Sequence, residues 1–167
     1  MHQGRHRKKV SVYGTQLREK QKLRFNYGLG EKQLRRFVDM SFQMKGNPGE
    51  NLLQFLERRL DNFVFRAGFA STIPAARQLV VHGHIQVDGK RVNKPSFLMK
   101  KGHKVTLVEK AQKFNHVQAS LEQLALIRPE WIGFDDGAKN ATVISLPTRD
   151  SVPFPIDIGQ VVEFYSK

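Results

Sequence analysis

The chain has 167 residues, enough for one ordinary domain or two small ones, with 40% apolar content and no cysteine. Its formal net charge of +13 favours a polyanionic partner, and the lack of cysteine excludes disulfides, thiolate metal sites and a cysteine nucleophile. No apolar run approaches the roughly 18 residues that span a bilayer, and no apolar stretch follows the basic start MHQGRHRKKVSVYG, so neither a membrane span nor a signal peptide is expected.

The charge is uneven. Residues 1–46 carry 12 Lys/Arg and 3 Asp/Glu, residues 47–110 carry 11 and 5, and residues 111–167 carry 5 and 7. The anion-facing surface is therefore expected in the first two thirds, with the last third completing the fold or meeting protein.

Residues 1–12 are basic, polar and aperiodic, an arm that would order only on a polyanion. Residues 13–28 read as a helix of mixed charge, punctuated by Gly28 and Gly30. A second helix follows, with Leu34, Phe37, Val38 and Ser41 on one face, Arg35, Arg36 and Asp39 turned away, and Gly46 as its stop. In NPGENLLQFLERRLDNFVFRAGF, Asn47 caps, Pro48 suits the first turn and Glu50 sits three residues after the cap. Leu52, Leu56, Leu60 and Phe63 then recur on one face, and the spacing predicts a single third helix ending at Gly68.

A fourth helix is predicted after Ser71 or Thr72, burying Ile73, Ala76, Leu79 and Val80, turning Arg77 and Gln78 elsewhere and stopping at Gly83. IQV-DG-KRV then gives the strongest short-range hairpin signal, an Asp-Gly of type I′. A strand is expected over about 104–110, and a helix over 112–127 using Phe114, Val117, Leu121, Leu124 and Ala125. Residues 128–160 are rich in Pro, Gly and Asp, with ATVISL as their strand candidate, and the terminal QVVEFYSK reads as another strand.

His2, His6, His82, His84, His103 and His116 raise a metal hypothesis. Only His2 and His6 stand at the i, i+4 spacing of a zinc helix, and they lie in the aperiodic arm where no helix is predicted; His82 and His84 flank a helix end, so their rings should diverge, and no metal is expected. Glu57 and Asp61 stand i, i+4 with Arg58 and Arg59 among them, which predicts intrahelical ion pairs rather than a pair of catalytic acids. No glycine-rich loop has a nucleotide-binding form, and no enzyme activity is expected. The basic constellation is richer. Lys8 and Lys9 lie in the arm, and Arg18, Lys20, Lys22 and Arg24 interleave with Tyr13, Phe25 and Tyr27. Arg58, Arg59 and Arg66 follow on the third helix, Arg77 on the fourth, and Lys90 and Arg91 past the hairpin turn. A solvated basic surface is the plain alternative for any one of them, but as a set they predict phosphate contact and base stacking.

The stretch LLQFLERRLDNFVFRAGFASTIPAARQLVVHGHIQVDGKRVNKPSF resembles the RNA-binding module named after ribosomal protein S-four, through RRLD, ARQL, HGHI, VDGKRV and Pro95 in order and at these intervals. YGTQLREKQKLRFNYGLGEKQLRRF, KGNPGENLL and the terminal VEFYSK extend the resemblance to the ribosomal protein S-four family itself, of bacterial or organellar type, over nearly the whole chain. The resemblance implies an α+β fold: a basic arm and helical domain over 1–48, completed by about 148–167, and an α/β RNA-binding domain over 49–147 containing the module at about 52–115. It implies a structural constituent of the small ribosomal subunit that binds ribosomal RNA early, nucleates assembly and contributes to translational accuracy.

In such a protein Arg5, Arg7 and the rest of the segment to Arg24 would enter an RNA junction, while Arg59, Arg77, Gln78, His84 and Lys90 would carry the module's share. Ribosomal proteins five and three and messenger RNA on its way into the ribosome would be neighbours. No cofactor, membrane or small-molecule substrate is implied, and the location is the ribosome of the cytoplasm or of an organelle stroma or matrix. The chain departs from the family by lacking the usual N-terminal segment, with HQG where PGQHG is expected, which leaves a late coding start or a truncated chain and excludes the family's zinc form within these residues. Asp157-Ile158 also stands where a polar pair is usual. The alternatives are a free factor using the same module in RNA modification or ribosome quality control, and a DNA-binding helix-turn-helix protein. The first needs a catalytic domain for which no room remains if it is an enzyme, and the immediate Asp-Gly hairpin counts against the second.

Overall fold

The computed structural model describes residues 11–166. Helix α1 (Val12–Tyr27) starts where the Ser11 hydroxyl accepts from the amide of Gly14 and ends at Gly28, whose φ of 63° is left-handed. Helix α2 (Glu31–Gln43) buries the predicted Leu34, Phe37, Val38 and Ser41. Helix α3 (Pro48–Glu57) is capped as expected, the Asn47 carbonyl oxygen accepting from the amides of Gly49 and Glu50.

The single third helix of the sequence reading is two. α3 stops at Glu57, Arg59 is extended at φ −59° and ψ 141°, and α4 (Leu60–Ala67) begins after it. The cause is tertiary. Residues 58–60 pair with residues 97–99: the Leu60 amide donates to the Phe97 carbonyl at 2.8 Å, the Met99 amide donates to the Arg58 carbonyl at 2.8 Å, and Arg59 bridges Leu98. Helical periodicity runs unbroken through LERRLDNF, but strand-like hydrogen bonds from a distant segment replace the intrahelical ones there.

Helix α5 (Ile73–Val81) is capped by the Thr72 hydroxyl and leads into β1 (Ile85–Val87). Asp88 and Gly89 both have positive φ, 51° and 82°, as a type I′ turn requires, and β2 (Lys90–Arg91) returns antiparallel. Strand β3 (Lys104–Leu107) pairs with β1. The expected helix over 112–127 is broken and shorter, as α6 (Glu109–Gln112) and α7 (Asn115–Glu122). Strands β4 (Ile132–Asp135) and β5 (Asn140–Val143) complete an antiparallel sheet of order β2-β1-β3-β5-β4. The sequence reading placed β5 within ATVISL and missed β4. The terminal QVVEFYSK, expected as a strand, is helix α8 (Ile158–Tyr165), with Ile158 and Val161 buried three residues apart. Packing against α1 overrides the β preference of its valines and aromatics.

Two hydrophobic cores result. One gathers Leu23, Tyr27, Leu34, Phe37, Val38, Leu52, Leu56, Ile158 and Val161 from α1, α2, α3 and α8. The other lies between the sheet and α4, α5 and α7, around Phe63, Phe69, Leu79, Ile85, Val105 and Trp131. The change from one core to the other falls at the break between α3 and α4. The chain is thus α+β, with the cations presented by both parts.

Candidate nucleic-acid interface

The basic residues separate into three groups by burial and partner. At the junction of the cores stands Asp61, 1% exposed. Its carboxylate accepts from Arg59 Nε at 3.1 Å and Nη2 at 3.0 Å, from Arg77 Nε at 3.2 Å and Nη2 at 3.0 Å, and from the Asn62 amide at 2.7 Å. Arg77 Nη2 also donates to the Tyr27 carbonyl at 3.3 Å. A Cβ on Gly28 would stand 3.1 Å from that same Nη2, so the end of α1 needs glycine both for its left-handed φ and for this close approach. Arg59 is 1% exposed, with its guanidinium over the Phe37 ring at 5.5 Å. The expected intrahelical pairing of Glu57 and Asp61 with Arg58 and Arg59 is replaced: Asp61 holds Arg59 across the helix break and Arg77 from α5, while Glu57 pairs with neither arginine.

Beside this node Glu57 is fully buried, accepting from Tyr27 Oη at 2.8 Å and from Asn62 Nδ2 at 2.9 Å. Burial pushes the Glu57 carboxyl up from its ordinary value, against the pull of Arg66, Tyr27 and Asn62. Burial and the Glu57 charge push the Tyr27 phenol well above its ordinary value. Arg66, 4% exposed, donates from Nη2 to the Ser151 carbonyl at 2.8 Å. Placing Arg59, Arg66 and Tyr27 on an RNA-facing surface is therefore corrected: all three are interior and hold elements together. The Ser151 segment covers Arg66, Asp61 and the Phe37 ring enclose Arg59, and Glu57 and Phe154 enclose Tyr27.

A second group is half-committed. Lys20 is 8% exposed, pairs with Glu31 at 2.8 Å and lies over the Phe164 ring at 4.8 Å. Lys22 pairs with Glu19 at 3.0 Å, and Arg24 pairs with Glu31 at 3.2 Å while lying over Phe25 at 5.0 Å. Arg58 donates from Nε to the Met99 carbonyl at 2.7 Å. Arg77 belongs here as well, a third exposed but tied to Asp61.

The third group stands at or near the surface. Arg18, Gln78, Lys90 and Arg91 are exposed, as is Tyr13, whose ring lies 5.7 Å from Phe164. His84 is half-buried, and burial together with nearby cations draws its pKa below the ordinary value. Arg5, Arg7, Lys8 and Lys9 lie outside the described residues. The His82 and His84 rings, expected to diverge, meet edge to face with centroids 6.2 Å apart.

Sequence reasoning missed the strongest exposed group. Lys32, Arg35 and Arg36 project from the outer side of α2 and line a shallow groove with Asp39, Met40 and Gln43, three cations against one carboxylate. Arg36 also borders a cavity of about 140 Å³ with Gln33, Ser96 and Leu98, so this side of α2 abuts the loop after β2. The signal was available: these cations sit opposite the Leu34, Phe37 and Val38 face, in the most basic part of the chain. Charge-assisted contacts from such forked and mobile cations suit phosphate oxygens.

Comparison with known proteins agrees with this layout. Residues 1–57 match the family described as ribosomal protein S4/S9 N-terminal domain, and residues 58–105 match the S4 domain. That boundary coincides with the α3–α4 break. The chain is 52% identical over 160 residues to the small ribosomal subunit protein uS4 of Methylobacillus flagellatus, covering 96% of this chain and 78% of that one. It is 49% identical over 160 residues to uS4B of Nitrosomonas europaea, covering 96% and 78%. It is 48% identical over 164 residues to uS4 of Thermoanaerobacter sp. strain X514, covering 98% and 79%. By families that together reach from residue 1 to residue 105, and by relatives matched over nearly its whole length, the chain belongs to the ribosomal protein S4 family.

Proposed function

We propose that this protein is a structural constituent of the small ribosomal subunit, a primary binder of small-subunit ribosomal RNA that helps nucleate assembly and contributes to translational accuracy. The observation that carries this reading is the exposed set Lys32, Arg35 and Arg36 on α2 with Lys90 and Arg91 on β2, one group from each core region, none paired to a carboxylate among the described residues. Two units, an N-terminal helical one closed by the C-terminal segment and the sheet-containing one that follows it, each present cations to RNA backbones that converge at a junction. The protein acts as a scaffold, without catalysis, by displacing counterions and matching shape. Arg18, Gln78, His84, Lys90 and Arg91, with the arm residues Arg5, Arg7, Lys8 and Lys9, are its RNA contacts, joined by the three α2 cations. Ribosomal proteins five and three and messenger RNA entering the ribosome are its neighbours there.

Binding to small-subunit ribosomal RNA, titrated against salt, tests this. Neutralising about 6–10 phosphates makes affinity fall roughly 10³–10⁵-fold between 50 and 200 mM salt. A nearly flat salt response would overturn the reading. Co-sedimentation with small subunits through a high-salt wash separates a stable constituent, which pellets, from a transient factor, which is released.

A further inference from the structure

Four rings stand in series on the sheet-containing part of the molecule. His82, the residue that ends α5, meets His84 edge to face with centroids 6.2 Å apart and planes at 73°. His84 meets Phe114 edge to face at 4.9 Å and 86°. Phe114 stacks on His116 at 5.4 Å and 22°. The row joins three places in the fold: the end of α5, the residue before β1, and the start of α7. His82 and His116 are exposed, and His84 and Phe114 are half-buried. Among the described residues none of the three imidazoles makes a side-chain hydrogen bond, and no group of three or more ligating side chains is placed to hold a metal ion.

The permanent charges that bear on His84 are those of Lys110 and Arg91, both positive. Flat rings open to solvent and ringed by cations complement a polyanion that carries its own flat apolar faces, which an unpaired stretch of RNA does and an acidic protein segment does not. Burial, followed by those cations, holds His84 toward its neutral form, in which it offers a π face without the hydration of an imidazolium.

We propose that His82, His84, Phe114 and His116 form a stacking platform for unpaired RNA bases, flanked by Arg91 and Lys110 on the phosphates. The proposal rests on the RNA-binding reading above and adds to it a second mode of contact. Base stacking releases no counterions, so its contribution persists in salt that suppresses the phosphate contacts.

The test uses the full chain and a short unstructured oligoribonucleotide carrying 2-aminopurine, whose fluorescence is quenched when the base stacks. The native protein quenches it at low and at high salt. H82A/H116A, both at exposed positions, loses the quench and roughly tenfold in affinity with the salt slope unchanged. Phe114→Tyr keeps the quench, and Phe114→Leu, which retains apolar bulk against the core but has no ring, weakens it. Lys110→Gln keeps the quench and lowers the salt slope. Quenching that survives in H82A/H116A with an unchanged circular dichroism spectrum overturns the platform. So does competition by polyglutamate as effective as that by polyuridylate, which would assign the patch to an acidic protein partner. Salt-dependent binding of small-subunit RNA without any quench defeats the platform alone; no binding to either RNA defeats the reading beneath it.

Discussion

Arg59 and Arg77 meet at Asp61, 1% and 33% exposed, and share one carboxylate that is itself 1% exposed. Lys32, Arg35 and Arg36 stand on α2 in solvent, with no carboxylate partner among the described residues. Both groups are cations of the basic two thirds of the chain, and composition cannot separate them. Position in the packing does. A buried guanidinium has lost its water and must take its hydrogen bonds from the protein, so it is committed to the fold. An exposed one keeps its donors for a ligand. The junction therefore carries stability and the outer side of α2 carries affinity, and variants in the two places should move different measurements.

The largest effect expected is at Asp61. Asp61→Ala leaves Arg59 buried without its counter-charge and removes the carboxylate that ties Arg77 of α5 to α4, so unfolding stability should drop by about 3–5 kcal/mol. Urea denaturation of the full chain measures it. A loss below about 1 kcal/mol would mean that water reaches the junction and that the comparison with α2 is one of degree only.

Arg77 comes next. The sequence places it clear of the Leu79 and Val80 stripe, and that position alone implies that Arg77→Glu spares the fold. The structure reverses that expectation, because the new carboxylate would face Asp61 and abandon the Tyr27 carbonyl. A loss of about 1–3 kcal/mol is expected, smaller than at Asp61 because the side chain is partly solvated. Weakened RNA binding with an unchanged denaturation midpoint would return Arg77 to the RNA surface.

On α2 the expectation inverts. Replacing Lys32, Arg35 and Arg36 together by glutamine should change stability by no more than about 0.5 kcal/mol per site. The slope of log affinity against log salt should fall by about 2–3. Unchanged binding would remove this side of α2 from the interface.

How much of this was readable beforehand follows from range. Caps, helix stops and the hairpin depend on neighbours within a few residues, and Asn47, Thr72 and Asp88-Gly89 behave as their chemistry dictates. The break at Arg58–Arg59 was hidden because its cause lies forty residues away, in the pairing with 97–99. The last helix was hidden because local β preference spoke against it, although Ile158, Val161 and Tyr165 already stood at helical spacing. Among the candidate contacts, Lys90 and Arg91 could be placed outside from the hairpin alone. Arg66 could not be placed, since its burial needs the Ser151 segment on top of it. Polar-face assignments fail wherever a helix is covered on two sides, and here that applies to α4.

The smallest effect is a pH dependence, and it separates junction from surface without altering the arginines of the junction. The folded state raises both Glu57 and Tyr27 above their ordinary values of 4.5 and 10.0. In each case the folded chain binds the proton more tightly than the unfolded one, so stability falls as pH rises from the ordinary value through the raised one. Glu57 thus contributes a decline that begins above pH 4.5, and Tyr27 a decline that begins above pH 10.0. Denaturation midpoints across pH read both. Glu57→Gln should flatten the first decline, since a neutral amide can still accept from Tyr27. Tyr27→Phe should abolish the second decline and extend the first to higher pH, because the Tyr27 hydrogen bond is one of the contacts that holds the Glu57 carboxyl down. The α2 glutamine variants should leave both declines as they are. If they shift either one, the outer cations are coupled to the buried pair, and the division between a stabilising junction and a binding surface does not hold.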